Sequence, residues 1–96
     1  MTEEFNGLPV VITTQNRGVF FGYLQKFNGN DAILANVRNC IYWRGVKGFI
    51  GLAYTGPNKD CRIGPKAKKA LIKNITAILE ASKKATAAWE SEPWKE

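Results

Sequence analysis

Two glycines, Gly18 and Gly22, interrupt a run of apolar and aromatic residues that extends from residue 17 to residue 24. The run follows the β-branched segment 10–14, and both segments have the composition of β-strands. A glycine within a strand has no β-carbon, so it marks a bulge, a bend or the close approach of another backbone. The sequence therefore predicts a small, strongly bent β-sheet, with Gly22 as the bend.

Strands and turns elsewhere in the chain are indicated by the same kinds of signal. An Asn-Gly pair within residues 28–31 predicts a hairpin turn. Strands are predicted at 10–14, 19–27, 32–43 and 75–80. With a short strand inside the segment described next, these make the chain a mainly β, five-strand barrel.

Residues 44–65 are rich in glycine and form a predicted insertion, in which the apolar run 49–54 is expected to be a short strand. A short helix is predicted at 82–91, because Ser82 is a favourable N-cap and Pro93 stops the helix. Basic residues at its start oppose the helix dipole, so we expect Trp89 to hold this helix on the sheet. Residues 92–96 are a tail, and 1–96 form a single domain.

Charge is distributed unevenly along the chain. Residues 5–79 contain eleven Lys and Arg but only two acids, whereas the two ends are acidic, and the formal net charge is +6. Such a surplus attracts partners that carry phosphate. Four arginines lie in apolar, strand-like contexts in which a guanidinium can bind phosphate or stack on a ring: Arg17, Arg38, Arg44 and Arg62. For Lys66, Lys68 and Lys69, a purely solubilising role explains the sequence equally well.

The residue types that catalysis usually needs are missing. The chain has no histidine, and no carboxylate pair has a spacing suited to acid–base catalysis. Cys40 and Cys61 lack a histidine partner, so we expect reduced, buried thiols and no zinc site. No apolar run is long enough to span a bilayer, and the start of the chain is acidic where a signal peptide is basic. We therefore expect a cytoplasmic protein that is not an enzyme and needs no cofactor.

Aromatic and basic residues are concentrated around the insertion, at the points where the chain enters and leaves it. An aromatic face can stack on a base, for about 1–3 kcal/mol per base, and a cationic side chain can bind phosphate. We expect Tyr42 to be exposed and Trp43 to lie in the core, because neighbouring strand residues alternate between faces. The predicted ligand-binding residues are Arg38, Tyr42, Arg44, Lys47, Tyr54, Arg62 and Lys66.

The region from residue 10 to residue 40 resembles the first motif of Sm-like small barrels, in which a strongly bent second strand is bounded by glycine and followed by leucine. Gly18, Gly22, Leu24 and Phe27 carry the resemblance. Asn28 stands where that family has an acidic residue, and the 44–65 insertion has no counterpart there. An SH3-like barrel, or another five-strand barrel, would give much the same pattern. The resemblance implies a ring that binds RNA or DNA.

A broader resemblance covers nearly the whole chain. The ordered segments 17–22, 35–43, 48–53, 56–57, 62–65 and 87–90 are similar to a family of small uncharacterised proteins encoded by tailed phages and prophages. The resemblance implies a phage protein that acts in the host cytoplasm. By analogy, small oligomeric phage proteins with aromatic and basic loops include anti-defence sponges of the Sequestin and Lockin type, which sequester nucleotide immune signals.

These observations lead to one expected function and two alternatives. We expect a homo-oligomer that captures a small nucleotide, such as a cyclic ADP-ribose isomer or a cyclic dinucleotide, without converting it. The first alternative is an Sm-like ring that binds RNA or DNA. The second is a virion or assembly component that binds only protein.

Overall fold

The structure, a computed structural model, describes residues 5–15, 18–43 and 48–91. Its elements in chain order are β1 (Pro9–Thr14), β2 (Val19–Phe27), β3 (Ala32–Tyr42), α1 (Gly48–Tyr54), β4 (Arg62–Ile63), β5 (Ala67–Ile72), β6 (Ile75–Glu80) and α2 (Lys83–Ser91). The predicted mainly β fold with a short C-terminal helix is confirmed. No helix in the described part of the chain is long and apolar enough to cross a membrane.

All strand pairs are antiparallel, and the main path through the sheet is β4-β3-β2-β1-β6. The strand β5 also pairs with β3, along its first half, whereas β4 pairs with the end of β3. Only residues 73 and 74 separate β5 from β6, although these two strands lie on opposite sides of the path. So short a connection requires the sheet to curl until its edges approach each other. The result is a small, barrel-like fold.

Gly22 lies at the bend that the sequence predicts. The pairing of β2 with β3 shifts register between Phe21 and Tyr23. A β-carbon on Gly22 would lie 3.0 Å from the β-carbon of Leu34, so only glycine fits there without displacing β3. On the opposite strand, Asn36 has a positive φ of 53°, which is typical of the extra residue in a β-bulge. This feature of β3 was not predicted.

Three elements differ from the sequence prediction: residues 49–54 are a helix, and neither the two-residue strand β4 nor the strand β5 was predicted, so the described residues form six strands instead of five. The predicted strand at 49–54 is wrong, because these residues form the helix α1. In that helix Leu52 and Ala53 are buried while Ile50 and Tyr54 are exposed, a one-sided pattern that so short an apolar run does not reveal from its sequence. The strand β5 was not predicted, because Ala67–Ile72 is rich in lysine and alanine, which are depleted in strands.

The two faces of the sheet carry separate apolar clusters. Val10 and Ile12 of β1 join one cluster, whereas Val11 joins the other, as the alternation of a strand requires. The helices cover the second cluster, where Trp89 is fully buried and stacks on Phe21 with ring centroids 5.3 Å apart. The predicted packing of α2 through Trp89 is therefore confirmed.

The predicted cap of α2 is also present. The hydroxyl oxygen of Ser82 accepts a hydrogen bond of 3.0 Å from the backbone N–H of Ala85. This bond satisfies one of the amide donors that the first turn of a helix leaves without a partner. The hairpin turn at 28–31 is confirmed as well, with Gly29 at a φ of 102°.

Candidate functional site

An aromatic and a basic side chain lie side by side at the end of β3. Tyr42 is the last residue of β3 and is the cross-strand neighbour of Arg62 in β4. Both residues are exposed, and 49% of Tyr42 is accessible, as predicted. The pairing of β3 with β4 shifts register between Cys40 and Tyr42, so the ladder is irregular here, but Tyr42 and Arg62 remain partners and their exposed side chains can contact one ligand. The phenol ring can stack on a base, and the guanidinium can bind a phosphate.

Two buried thiols lie next to this pair in sequence, Cys40 in β3 and Cys61 just before β4. Cys40 and Cys61 are both free and buried, which confirms the prediction for the cysteines. Burial, followed by the proximity of Cys61, raises the pKa of the Cys40 thiol to about 12. The Cys40 thiol is therefore protonated at neutral pH and is a poor nucleophile. Trp43, which the sequence places in the core, packs against the same apolar cluster and is half-buried.

Arg38, in the same strand as Tyr42, lies inside the protein. Only 5% of it is accessible. Its Nε donates a hydrogen bond of 2.9 Å to the carbonyl of Gly64, and its Nη1 donates one of 2.6 Å to the carbonyl of Trp89. The second bond satisfies a carbonyl in the last turn of α2, where a cation is also favoured by the helix dipole. Arg38 therefore links β3, the segment after β4 and α2.

Lys66 is tied to α2 through Glu90. Its Nζ lies 2.8 Å from Oε1 of Glu90, and the Tyr23 hydroxyl donates a hydrogen bond of 2.6 Å to Oε2. The hydrogen bond from Lys66, and next the one from Tyr23, holds the pKa of Glu90 below its usual value. Burial, and then Glu90, raises the pKa of Tyr23 to about 12. Lys66 is still partly accessible, but its charge is balanced by a carboxylate.

The structure separates Tyr54 from the pair at the end of β3. Tyr54 ends α1 and is 72% exposed, and its carbonyl accepts a hydrogen bond from Ser82, just after β6. Because β3 and β6 run in opposite directions in the sheet, their C-terminal ends lie at opposite ends of the strands. Tyr42 and Tyr54 therefore belong to different parts of the surface. Arg44 and Lys47, which were predicted for the same site, lie outside the described residues.

Two further exposed cations lie beside β3, at the opposite part of this strand from Tyr42. Lys68 and Lys69 are exposed on β5, which pairs with the first half of β3. Because successive strand residues point to opposite faces of a sheet, the side chains of Lys68 and Lys69 lie on opposite sides of β5. Arg62, Lys66, Lys68 and Lys69 thus lie within one short stretch of chain that borders β3. From the sequence alone, a solubilising role explained these lysines as well as phosphate binding did. The strand that places Lys68 and Lys69 beside β3 was not predicted.

An apolar groove lies at the other end of the strands, beside Tyr54. It has a volume of about 310 Å³, and Ile50 and Tyr54 of α1 border it opposite Leu79 and Ala81. A neighbouring groove of about 510 Å³ continues over the start of α2 and includes Lys83. Glu80 borders both grooves. The sequence gave no signal for this surface, because it depends on α1 being a helix.

The described residues contain no group of three or more His, Cys, Asp or Glu side chains placed to hold a metal ion. A family model described as Domain of unknown function (DUF6948) matches residues 7–89. That range includes all six strands, α1 and most of α2. No curated protein matches the chain.

Proposed function

We propose that this chain, which belongs to the DUF6948 family, is a non-enzymatic protein that captures a small phosphate-bearing nucleotide as a homo-oligomer. The observation that carries the proposal is the pairing of Tyr42 with Arg62, both exposed, on a basic edge of the sheet. A ring and a guanidinium on partner residues of neighbouring strands match the two parts of a nucleotide, its base and its phosphate.

Contact energies favour an oligomer over a single subunit. Stacking supplies about 1–3 kcal/mol per base. A charge-assisted hydrogen bond adds about 1.5–3 kcal/mol. Binding itself costs at least about 4 kcal/mol in lost translational and rotational freedom, so one Tyr42–Arg62 pair is too weak for tight capture. A ligand with two bases or two phosphates would engage two such pairs only if subunits associate with their Tyr42–Arg62 pairs close together.

The chemistry of the described site supports capture without conversion. The Cys40 thiol stays protonated because its pKa is raised to about 12. The Glu90 carboxylate is already engaged by Lys66 and Tyr23. Together with the phage-family resemblance of the sequence, these features support an anti-defence role: sequestration of a nucleotide immune signal in the host cytoplasm.

Isothermal titration calorimetry tests this proposal, with cyclic ADP-ribose isomers and cyclic dinucleotides as probes. We expect Tyr42→Ala and Arg62→Ala each to weaken binding about tenfold or more, and Tyr42→Phe to retain most of the affinity because the ring still stacks. Lys84→Ala is the matched control, since it removes an equally exposed charge from α2. Equal loss of affinity in the control, or no heat with any small nucleotide, would contradict the proposal.

A second candidate function is binding of single-stranded nucleic acid along the same edge. It is favoured by the exposed Lys68 and Lys69 on β5, which extend the positive charge beyond the Tyr42–Arg62 pair. Contact with many phosphates makes affinity fall steeply with salt, whereas a dinucleotide gives a shallow slope. Tight binding of a fluorescent single-stranded RNA with a steep salt slope, reduced in Lys68→Ala and Lys69→Ala, would favour this candidate. Binding of neither probe would leave a protein-binding virion or assembly component.

A further inference from the structure

Two of the exposed large apolar side chains lie on α1, beside the groove that α1 forms with the end of β6. Ile50 is 63% exposed and Tyr54 is 72% exposed, and both border the 310 Å³ groove. Leu79 and Ala81 line the same groove. The exposed side chains of Ile50 and Tyr54 therefore lie next to a groove with an apolar lining. A contiguous patch of this kind marks a contact surface more often than a solvated one.

The end of β6 lines this groove, and one side of this strand has no partner strand among the described residues. The backbone N–H of Ala81 donates a hydrogen bond to the carbonyl of Pro9. In an antiparallel pair the bonding residues alternate, so Leu79 and Ala81 bond to β1, and the backbone groups of Ile78 and Glu80 point the other way. Within the part of the chain that the structure describes, the pairing path ends at β6. Such an edge is a template for another strand.

The charges on this surface are complementary to one another. Glu80 is exposed and borders both grooves, while Lys83 is exposed and borders the larger one. A two-fold axis relates each residue of one copy to its counterpart in the other, so a contact from Glu80 to Lys83 occurs twice. An acid and a base on one surface therefore suit a second copy of the same surface.

We propose that the α1–β6 surface, defined by Ile50, Tyr54, Leu79, Glu80 and Lys83, binds the same surface of a second copy of this chain. In this dimer Glu80 of each copy faces Lys83 of the other, and Ile50 and Tyr54 cover the other copy's groove. The inference goes beyond the proposed function: it concerns association of the chain without ligand, and this dimer does not bring two Tyr42–Arg62 pairs onto one ligand. The surface lies at the opposite end of the strands from Tyr42, so the nucleotide site stays open in the dimer.

Sedimentation equilibrium without nucleotide, over about a hundredfold range of concentration, tests the dimer by charge reversal. Each reversal places like charges opposite each other twice, so we expect Glu80→Lys and Lys83→Glu each to raise the dissociation constant about tenfold or more. The double variant should return to within about threefold of the original value, because both pairs are restored with reversed polarity. Lys84→Glu is the control, with the same charge change at the next position of α2.

An acid at position 83 or 84 is favourable for the helix dipole, so loss of association in these variants does not reflect loss of α2. Ile50→Glu gives an independent readout, and we expect it to abolish the dimer while the equally exposed Leu71→Glu leaves it intact. A purely monomeric protein, a double variant as weak as the single ones, or association lost only in Leu71→Glu would overturn the inference. Because no ligand is present, each result is independent of nucleotide binding.

Discussion

Replacing Trp89 tests how the C-terminal helix stabilises the fold. Trp89 is fully buried, stacks on Phe21 with the ring planes 9° apart, and donates a hydrogen bond of 3.0 Å from Nε1 to the carbonyl of Leu52. Truncating a buried tryptophan to alanine costs about 3–5 kcal/mol. We therefore expect Trp89→Ala to lower the free energy of unfolding by about 4 kcal/mol, a large fraction of the total of about 5–15 kcal/mol for a small domain.

The conservative variant separates the two contributions of this side chain. Trp89→Phe keeps an aromatic ring beside Phe21 but leaves the Leu52 carbonyl without its indole donor, which costs about 1–3 kcal/mol. Urea denaturation followed by circular dichroism measures both variants. Phe49→Ala, at an apolar residue that is 38% exposed, is the control and should cost under about 1 kcal/mol. If Trp89→Ala costs no more than this control, the described packing of α2 is refuted.

Three further predictions concern a glycine, a thiol and a carboxylate. Gly56→Ala should lower the free energy of unfolding by at least about 2 kcal/mol in thermal denaturation, because φ is +81° and a β-carbon would lie 2.6 Å from an α2 side chain. The control Gly29→Ala, at a positive φ but in open space, should lower it by about 1 kcal/mol. Cys40→Ala should leave nucleotide affinity within about twofold in calorimetry, since the protonated thiol takes no part in binding; complete loss of affinity in a folded variant would contradict this. The folded-state pKa of Glu90 is lowered from 4.5, so its contact with Lys66 stabilises the fold above that pH and is lost as pH falls through the lowered value. Glu90→Gln should therefore unfold more easily than the unaltered chain at pH 7 and equally at strongly acid pH, and a difference that persists in strong acid would refute the linkage.

Local signals predicted the parts of the fold that depend on single residues or short patterns. The bend at Gly22 follows from a missing β-carbon, and the cap at Ser82 follows from a side-chain oxygen at a helix start. The three elements that the sequence did not reveal, α1, β4 and β5, depend on tertiary contacts. A seven-residue apolar run fits a strand or a helix equally well, and β5 is a strand because β3 offers it a pairing edge.

The sequence predicted some residues of the candidate site correctly, but it did not predict which of them lie together. Tyr42 is exposed, as predicted, but not through simple alternation, because Ile41 is exposed too where the pairing with β4 shifts register. The pairing of Tyr42 with Arg62 brings two predicted residues together. Arg38 was expected to bind ligand because of its charge, yet its guanidinium binds the carbonyl of Trp89, 51 residues away in sequence. The separation of Tyr54 from Tyr42 likewise follows from strand direction, which composition does not reveal.

Native mass spectrometry of the protein, purified from cells in which nucleotide immune signalling has been activated, tests nucleotide capture most directly. It reports the number of 10.7 kDa subunits and the mass of any retained ligand in one spectrum. We predict a homo-oligomer that carries a nucleotide, released with its mass unchanged on denaturation and absent from Arg62→Ala protein. A bare monomer, or a retained ligand whose mass corresponds to a cleaved nucleotide, would contradict capture without conversion.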